Sequence, residues 1–200
     1  MTKSLLITIS TAAVLTFSAC SSENQSNTTS SSTKQTTEIV TFKGTPFKLE
    51  GTLLSVGDTA PEVVVVTKSL KEKTLGGKSV KAQIIVVVPS IDTPVCNLES
   101  RTFNERVADM KDVDLTIVSM DSPFALGRFC AAKGIENITM ASDYRYNSLG
   151  KAYGVRISES ILKGILARAI FVVKEGKIVY KELVDEVSHE PNYDAALKAI

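Results

Sequence analysis

The chain has three cysteines, Cys20, Cys96 and Cys130, and a single histidine, His189. Cys96 stands in "IIVVVPSIDTPVCNLESRTFNERVADM", where a β-branched apolar run breaks at Pro89 and a polar, helix-like pattern resumes. A cysteine at the start of a helix meets free backbone N–H groups and the positive end of the helix dipole. Both stabilise the thiolate, the form that attacks electrophiles. Cys130 lies instead inside "SPFALGRFCAAKG", between Phe129 and Ala131 and near the end of a second helical segment. A thiol buried there is inert unless the helix moves. One sulfur is placed to react and the other to answer it.

Blander readings of the same residues stand beside this one. The two cysteines could form a stabilising disulfide, natural in an exported protein, or remain two buried free thiols. Zinc needs more ligands than the chain groups together, and no metal or other cofactor is expected. The absence of a CxxC motif also counts against a dithiol oxidoreductase of thioredoxin type. A cysteine protease requires a histidine base, and His189 falls in a carboxyl-terminal loop with no protease signature around either cysteine.

The elements that must hold these sulfurs are legible as short runs. From Glu38, "EIVTFKGTPFKLEG" alternates around Gly44-Thr45-Pro46 and predicts a β-hairpin. "PEVVVV", "AQIIVVV", "DLTIVSM" and "ARAIFVV" predict strands, the middle ones apolar enough to be covered on both faces. Behind Cys96, the residues Leu98, Phe103, Val107 and Met110 follow helical spacing. The second helix has Ser122 as N-cap, Pro123 at its first position and Gly134 as terminator. A last hairpin turns at Glu175-Gly176, and a short helix starts near Asn192. The alternation predicts an α/β sandwich with a mixed central sheet.

Composition agrees with one globular core: of 200 residues, 44% are hydrophobic and 22% charged. The formal net charge is +1, with no basic or acidic block, so nothing electrostatic favours nucleic acid or an anionic membrane surface. The amino terminus is expected to lie outside the fold. Lys3 precedes the apolar stretch "LLITISTAAVLTFSA", which is signal-like and too short to span a bilayer. Its end, "FSAC", resembles the lipobox of bacterial lipoproteins, with Phe17 departing from the favoured leucine. That resemblance implies a signal peptide over residues 1–19 and a lipidated Cys20, which would anchor the chain in the cell envelope. Residues 20–37, including "SSENQSNTTSSSTKQTT", would be a flexible polar tether reaching about 20 to 25 Å. Cleavage before Cys20 removes Lys3 and leaves basic and acidic residues equal in number.

Around Cys96 the sequence resembles a known family. "PSIDTPVC" fits the PxxxTxxC motif of peroxiredoxins, with Pro89, Thr93 and Cys96 at the matching positions, and "VGDTAP" is similar to that superfamily's entry segment. More narrowly, residues 38–200 resemble the thiol peroxidases of the atypical two-cysteine type, through "TFKGTPFKLEG", "DSPFALGRFC", "AYGVRI", "LKGILARAIFVV" and "LVDEVSHEPNYDAAL". The resemblance implies a thioredoxin-like fold and the reduction of hydrogen peroxide and organic hydroperoxides. It makes Cys96 the peroxidatic cysteine, which becomes a sulfenic acid, and Cys130 the resolving cysteine, which closes an intramolecular disulfide with it. Thr93 would hold its hydroxyl toward the sulfur, and Arg168, in "ILAR", would stabilise the thiolate and polarise the peroxide. Thioredoxin or a similar dithiol protein would reopen the disulfide, and the protein would be a homodimer. Pro94 departs from the glycine common in the subfamily. Because each cysteine sits in its own helix, disulfide formation implies local unwinding around both. The competing expectation is a non-catalytic envelope lipoprotein with a static disulfide.

Overall fold

The computed structural model describes residues 38–200, so the expected signal segment, Cys20 and the tether lie outside the described residues. The hairpin expected after Glu38 is formed by β1 (Ile39–Phe42) and β2 (Thr45–Glu50). It turns on Lys43 and Gly44, both at positive φ (52° and 75°), the geometry that matches a hairpin's strand twist and that glycine adopts without strain. Then come β3 (Val63–Thr67), β4 (Glu72–Leu75), β5 (Ala82–Val87), α1 (Pro94–Arg106), β6 (Val113–Ser119), α2 (Pro123–Lys133) and β7 (Thr139–Ser142). The chain ends with α3 (Ser148–Ala152), β8 (Arg156–Ile157), β9 (Ala169–Lys174), β10 (Lys177–Leu183) and α4 (Tyr193–Lys198).

Seven strands form one mixed sheet in the order β10-β9-β5-β6-β7-β3-β4. β5, β6 and β7 run parallel, while β9 lies antiparallel to β5 and β3 antiparallel to β7. A smaller sheet, β1-β2-β8, joins the hairpin to the body. This is the thioredoxin-like α/β architecture with an amino-terminal hairpin that the sequence predicts.

Successive residues of β5 serve opposite faces. Ile84 and Val86 meet Leu115 and Ile117 of β6, Phe103 of α1, and Leu126 and Phe129 of α2, all buried in one cluster. Ile85 and Val87 face the other way, toward Val118, Phe171, Leu149 and Tyr153. Sequestering each such side chain stabilises the fold by about 1.5–3 kcal/mol before entropy is counted. The pattern explains why the middle strands are apolar throughout. Among the described residues, no helix is long and apolar enough to cross a membrane.

One expectation about α1 is corrected. Leu98 and Met110 do not join its inner face; they are 42% and 38% exposed, and Met110 lies beyond the helix end. The buried residues are Cys96, Glu99, Ser100, Phe103 and Asn104. Leu98 is two positions from Cys96, about 200° around the helix, so burying Cys96 and Phe103 turns it outward. The inner face is polar because it carries the site.

Candidate active site

Pro89 is buried just after β5, and having no backbone N–H it cannot continue the ladder. The chain turns over Ser90–Thr93 and enters α1 at Pro94, whose fixed φ suits a first helical position where the missing N–H costs nothing. Cys96 is thus the third residue of the helix, fully buried, with its sulfur in the field of the helix N-terminus. Thr93 is the N-cap: its Oγ1 accepts from the Cys96 N–H (3.4 Å) and donates to the Ser90 carbonyl (3.0 Å). Its hydroxyl proton is therefore held by the backbone rather than by the sulfur in this state. Ser100 Oγ donates back to the Cys96 carbonyl (2.8 Å), and this tightens the first turn.

The arginine comes from 72 residues further along the sequence. Arg168 immediately precedes β9 and is only 1% exposed, with its guanidinium dividing three ways. Nη2 donates to Cys96 Sγ at 3.3 Å, Nε donates to the Val187 carbonyl at 3.0 Å, and Nη1 pairs with Glu99 Oε2. A planar fork can hold three partners in fixed directions, which a lysine cannot. Glu99, one turn beyond Cys96, is fully buried and its Oε1 finds no partner among the described residues. Burial pushes its carboxyl up to about 7, against the opposing pull of Arg168.

Asp121 fastens the loop before α1. It accepts from Ser90 Oγ (2.9 Å), the Ile91 N–H (2.9 Å) and Ser119 Oγ (2.8 Å), tying residues 90–91 to the end of β6. Above the loop lies a cleft of about 480 Å³ lined by Pro89, Thr93 and Arg168 together with Phe42, Leu162, Ile165 and Val187. The two groups that touch Cys96 therefore also face the cleft, whose remaining walls are largely apolar. A peroxide admitted there meets the Arg168 guanidinium and Thr93, directly in front of the Cys96 sulfur at the head of α1, a setting for nucleophilic attack on an O–O bond.

Cys130 lies in the last turn of α2, which is capped as the sequence predicts. Ser122 Oγ accepts from the Ala125 N–H, and Gly134 adopts the left-handed conformation at φ 64°. Cys130 is 3% exposed, and burial raises its thiol above the ordinary range. Both cysteines are free thiols within one apolar cluster on the same face of the sheet. They are not joined by a static bridge, and closing one requires movement of the two helices that hold them. Among the described residues, no group of three or more His, Cys, Asp or Glu could hold a metal ion; His189 is exposed in the loop before α4.

A redoxin family model matches residues 55–197. Thiol peroxidases align along most of the chain: that of Aquifex aeolicus is 54% identical over 162 residues, covering 80% of this chain and 95% of that protein. That of Bacillus subtilis is 47% identical over 161 residues, covering 80% and 95%. The chain belongs to the redoxin family, among its thiol peroxidases. The crystal structure of a peroxiredoxin-like protein from Aquifex aeolicus superposes with a TM-score of 0.78 at 54% identity, covering 82% of this chain and 96% of that one. A thiol peroxidase from Chromobacterium violaceum shares the fold at a TM-score of 0.73 and 24% identity.

Of the residues the sequence singles out, the structure brings Pro89, Thr93 and Arg168 to one cleft, buries Cys96 behind Thr93 and Arg168, and leaves Cys130 in the neighbouring helix. Glu99 and Asp121 complete this thiol peroxidase site and went unread. Glu99 had a signal in its i, i+3 spacing from Cys96. Asp121 had none that is local.

Proposed function

We propose that this chain is a thiol-dependent peroxidase in which Cys96 attacks the distal oxygen of a hydroperoxide. The O–O bond breaks, the sulfur is oxidised to a sulfenic acid, and the alcohol or water leaves with the proton. Cys130 then condenses with the sulfenic acid to an intramolecular disulfide, and a thioredoxin-type dithiol restores both thiols by exchange. The observation that carries this reading is the Arg168 guanidinium on Cys96 Sγ, at the head of α1 and on the floor of a cleft. The apolar walls, and an adjoining shelf of about 400 Å³ formed by Phe42, Phe47 and Ile161, suit organic hydroperoxides, lipid-derived ones included.

The wider proposal adds a Cys20 lipid anchor, which supports a place in the cell envelope, and a homodimer, which rests on family resemblance alone. Labelled palmitate incorporated in bacterial cells and lost in Cys20→Ala supports the anchor, and light scattering reads the dimer. The enzymatic core is tested by reducing the protein, adding one equivalent of cumene hydroperoxide and mapping the products by peptide mass spectrometry. A Cys96–Cys130 disulfide in wild type is expected, with a sulfenic or more oxidised Cys96 in Cys130→Ser. Absence of that disulfide in wild type would refute the resolving role.

A further inference from the structure

Glu186, in the loop after β10, does not itself line the peroxide cleft, yet it joins two of the cleft's walls. Its Oε1 accepts from the Lys43 N–H (3.1 Å), the Ser188 N–H (3.2 Å) and Ser188 Oγ (2.6 Å). Its Oε2 accepts from the Gly44 N–H (3.1 Å) and Thr41 Oγ1 (2.9 Å). Lys43 and Gly44 are the two turn residues at positive φ, and their N–H groups point out of the β1–β2 ladder, a concavity that suits an anion. Desolvation opposes the charge on Glu186, but the bonds from Ser188, Gly44, Thr41 and Lys43 outweigh it and hold the carboxyl down to about 2, so it is an anion near neutral pH. The residues joined in this way are Phe42 and Lys43 on one side and Val187 and Ser188 on the other, and all four line the cleft.

We infer that Glu186 determines specificity: by fastening the hairpin turn to Val187 and Ser188 it holds the apolar wall on which the organic part of a hydroperoxide packs, and so favours organic hydroperoxides over hydrogen peroxide. The inference deepens the proposed function and rests on the cleft being the peroxide's route to Cys96. Hydrogen peroxide has no apolar part to pack on Phe42, Leu162 or Ile165, whereas cumene hydroperoxide brings a phenyl ring and two methyl groups. A wall already in place receives that ring without further ordering. A wall that the ligand must order first costs binding energy, and only the larger peroxide bears that cost. The reacting end of the cleft does not depend on the Glu186 side chain. Val187, whose carbonyl accepts from Arg168 Nε, keeps its own N–H bond to the Thr41 carbonyl (2.9 Å) whatever side chain stands at position 186.

The test follows the loss of hydrogen peroxide and of cumene hydroperoxide by reduced wild type, Glu186→Ala and Glu186→Gln in stopped flow, and reads the ratio of the two second-order rate constants. A smaller folded fraction lowers both rates alike and leaves the ratio unchanged, so the ratio separates a wall from a merely structural role. In both variants the cumene-to-hydrogen-peroxide ratio is expected to fall roughly three- to tenfold, the cost of ordering one or two side chains, with hydrogen peroxide consumed within about twofold of wild type. Glutamine has nearly the volume of glutamate but turns an amide NH2 toward N–H donors, so it cannot accept as the carboxylate does. An unchanged or raised ratio in Glu186→Ala would overturn the inference, as would both rates falling together. A Glu186→Gln protein that matches wild type would overturn it too, because volume rather than hydrogen bonding would then hold the wall. Wild type that consumes neither peroxide faster than a free thiol would instead remove the peroxidase reading itself, an outcome distinct from an unchanged ratio.

Discussion

Glu99 shares the Arg168 guanidinium with Cys96, and its burial gives the site a pH signature of its own. The carboxyl takes up its proton near pH 7 in the folded protein, against an unfolded value of 4.5. Between those limits the folded state binds more protons than the unfolded one, so the stability due to this group is fullest below about 4.5 and is lost as pH rises through 7. In Glu99→Gln the side chain is neutral at every pH, and its amide oxygen can still accept from Arg168. Urea unfolding is therefore expected to show the variant gaining on wild type by roughly 3 kcal/mol between pH 5 and pH 8. Parallel stability profiles would show that Glu99 is ionised throughout. Elsewhere at this scale, the two cysteines and Arg168 were legible by residue type and motif. The polar inner face of α1 was not, because the apolar repeat of Leu98 and Met110 points to the wrong side of the helix.

At the scale of elements, the first turn of α1 controls how soon Cys96 can be resolved. Pro94 restricts the unfolded form of that turn and suits its folded form, so it opposes the unwinding that a Cys96–Cys130 bond requires. Pro94→Gly is expected to speed disulfide closure by about two- to fivefold, read by quenched flow with thiol alkylation. An unchanged rate would show that this turn does not limit resolution. The sequence revealed α2 clearly because Ser122, Pro123 and Gly134 each have a single good place in a helix. It concealed β7, α3 and β8, which have four, five and two residues, because none is long enough to express a period. The tie between the peroxidatic loop and β6 was equally hidden, since Asp121 meets Ser90 and Ile91 across about thirty positions with no local pattern.

Over the whole molecule, the cleft is assembled from four distant stretches: Phe42 and Lys43 of the hairpin, Pro89 to Val95, Leu162 to Arg168, and Val187 with Ser188. Phe42, Leu162 and Ile165 also pack on the small cluster formed by Val40, Phe47, Leu49 and Val187. The amino-terminal hairpin is thus a wall of the site as well as an edge of the fold. Its existence could be read from alternation and turn residues, whereas its function depends on the position of β8 and of the Val187 loop beside it. The central claim is that the Cys96 sulfur, buried directly behind the Arg168 and Thr93 that line this cleft, is the atom that meets the peroxide. Stopped-flow measurement of cumene hydroperoxide loss by the reduced protein, in wild type and in Cys96→Ser, tests it most directly. Consumption orders of magnitude faster than by a free thiol, abolished in Cys96→Ser, is the predicted result. Loss no faster than by a free thiol, or unaffected by Cys96→Ser, would contradict it.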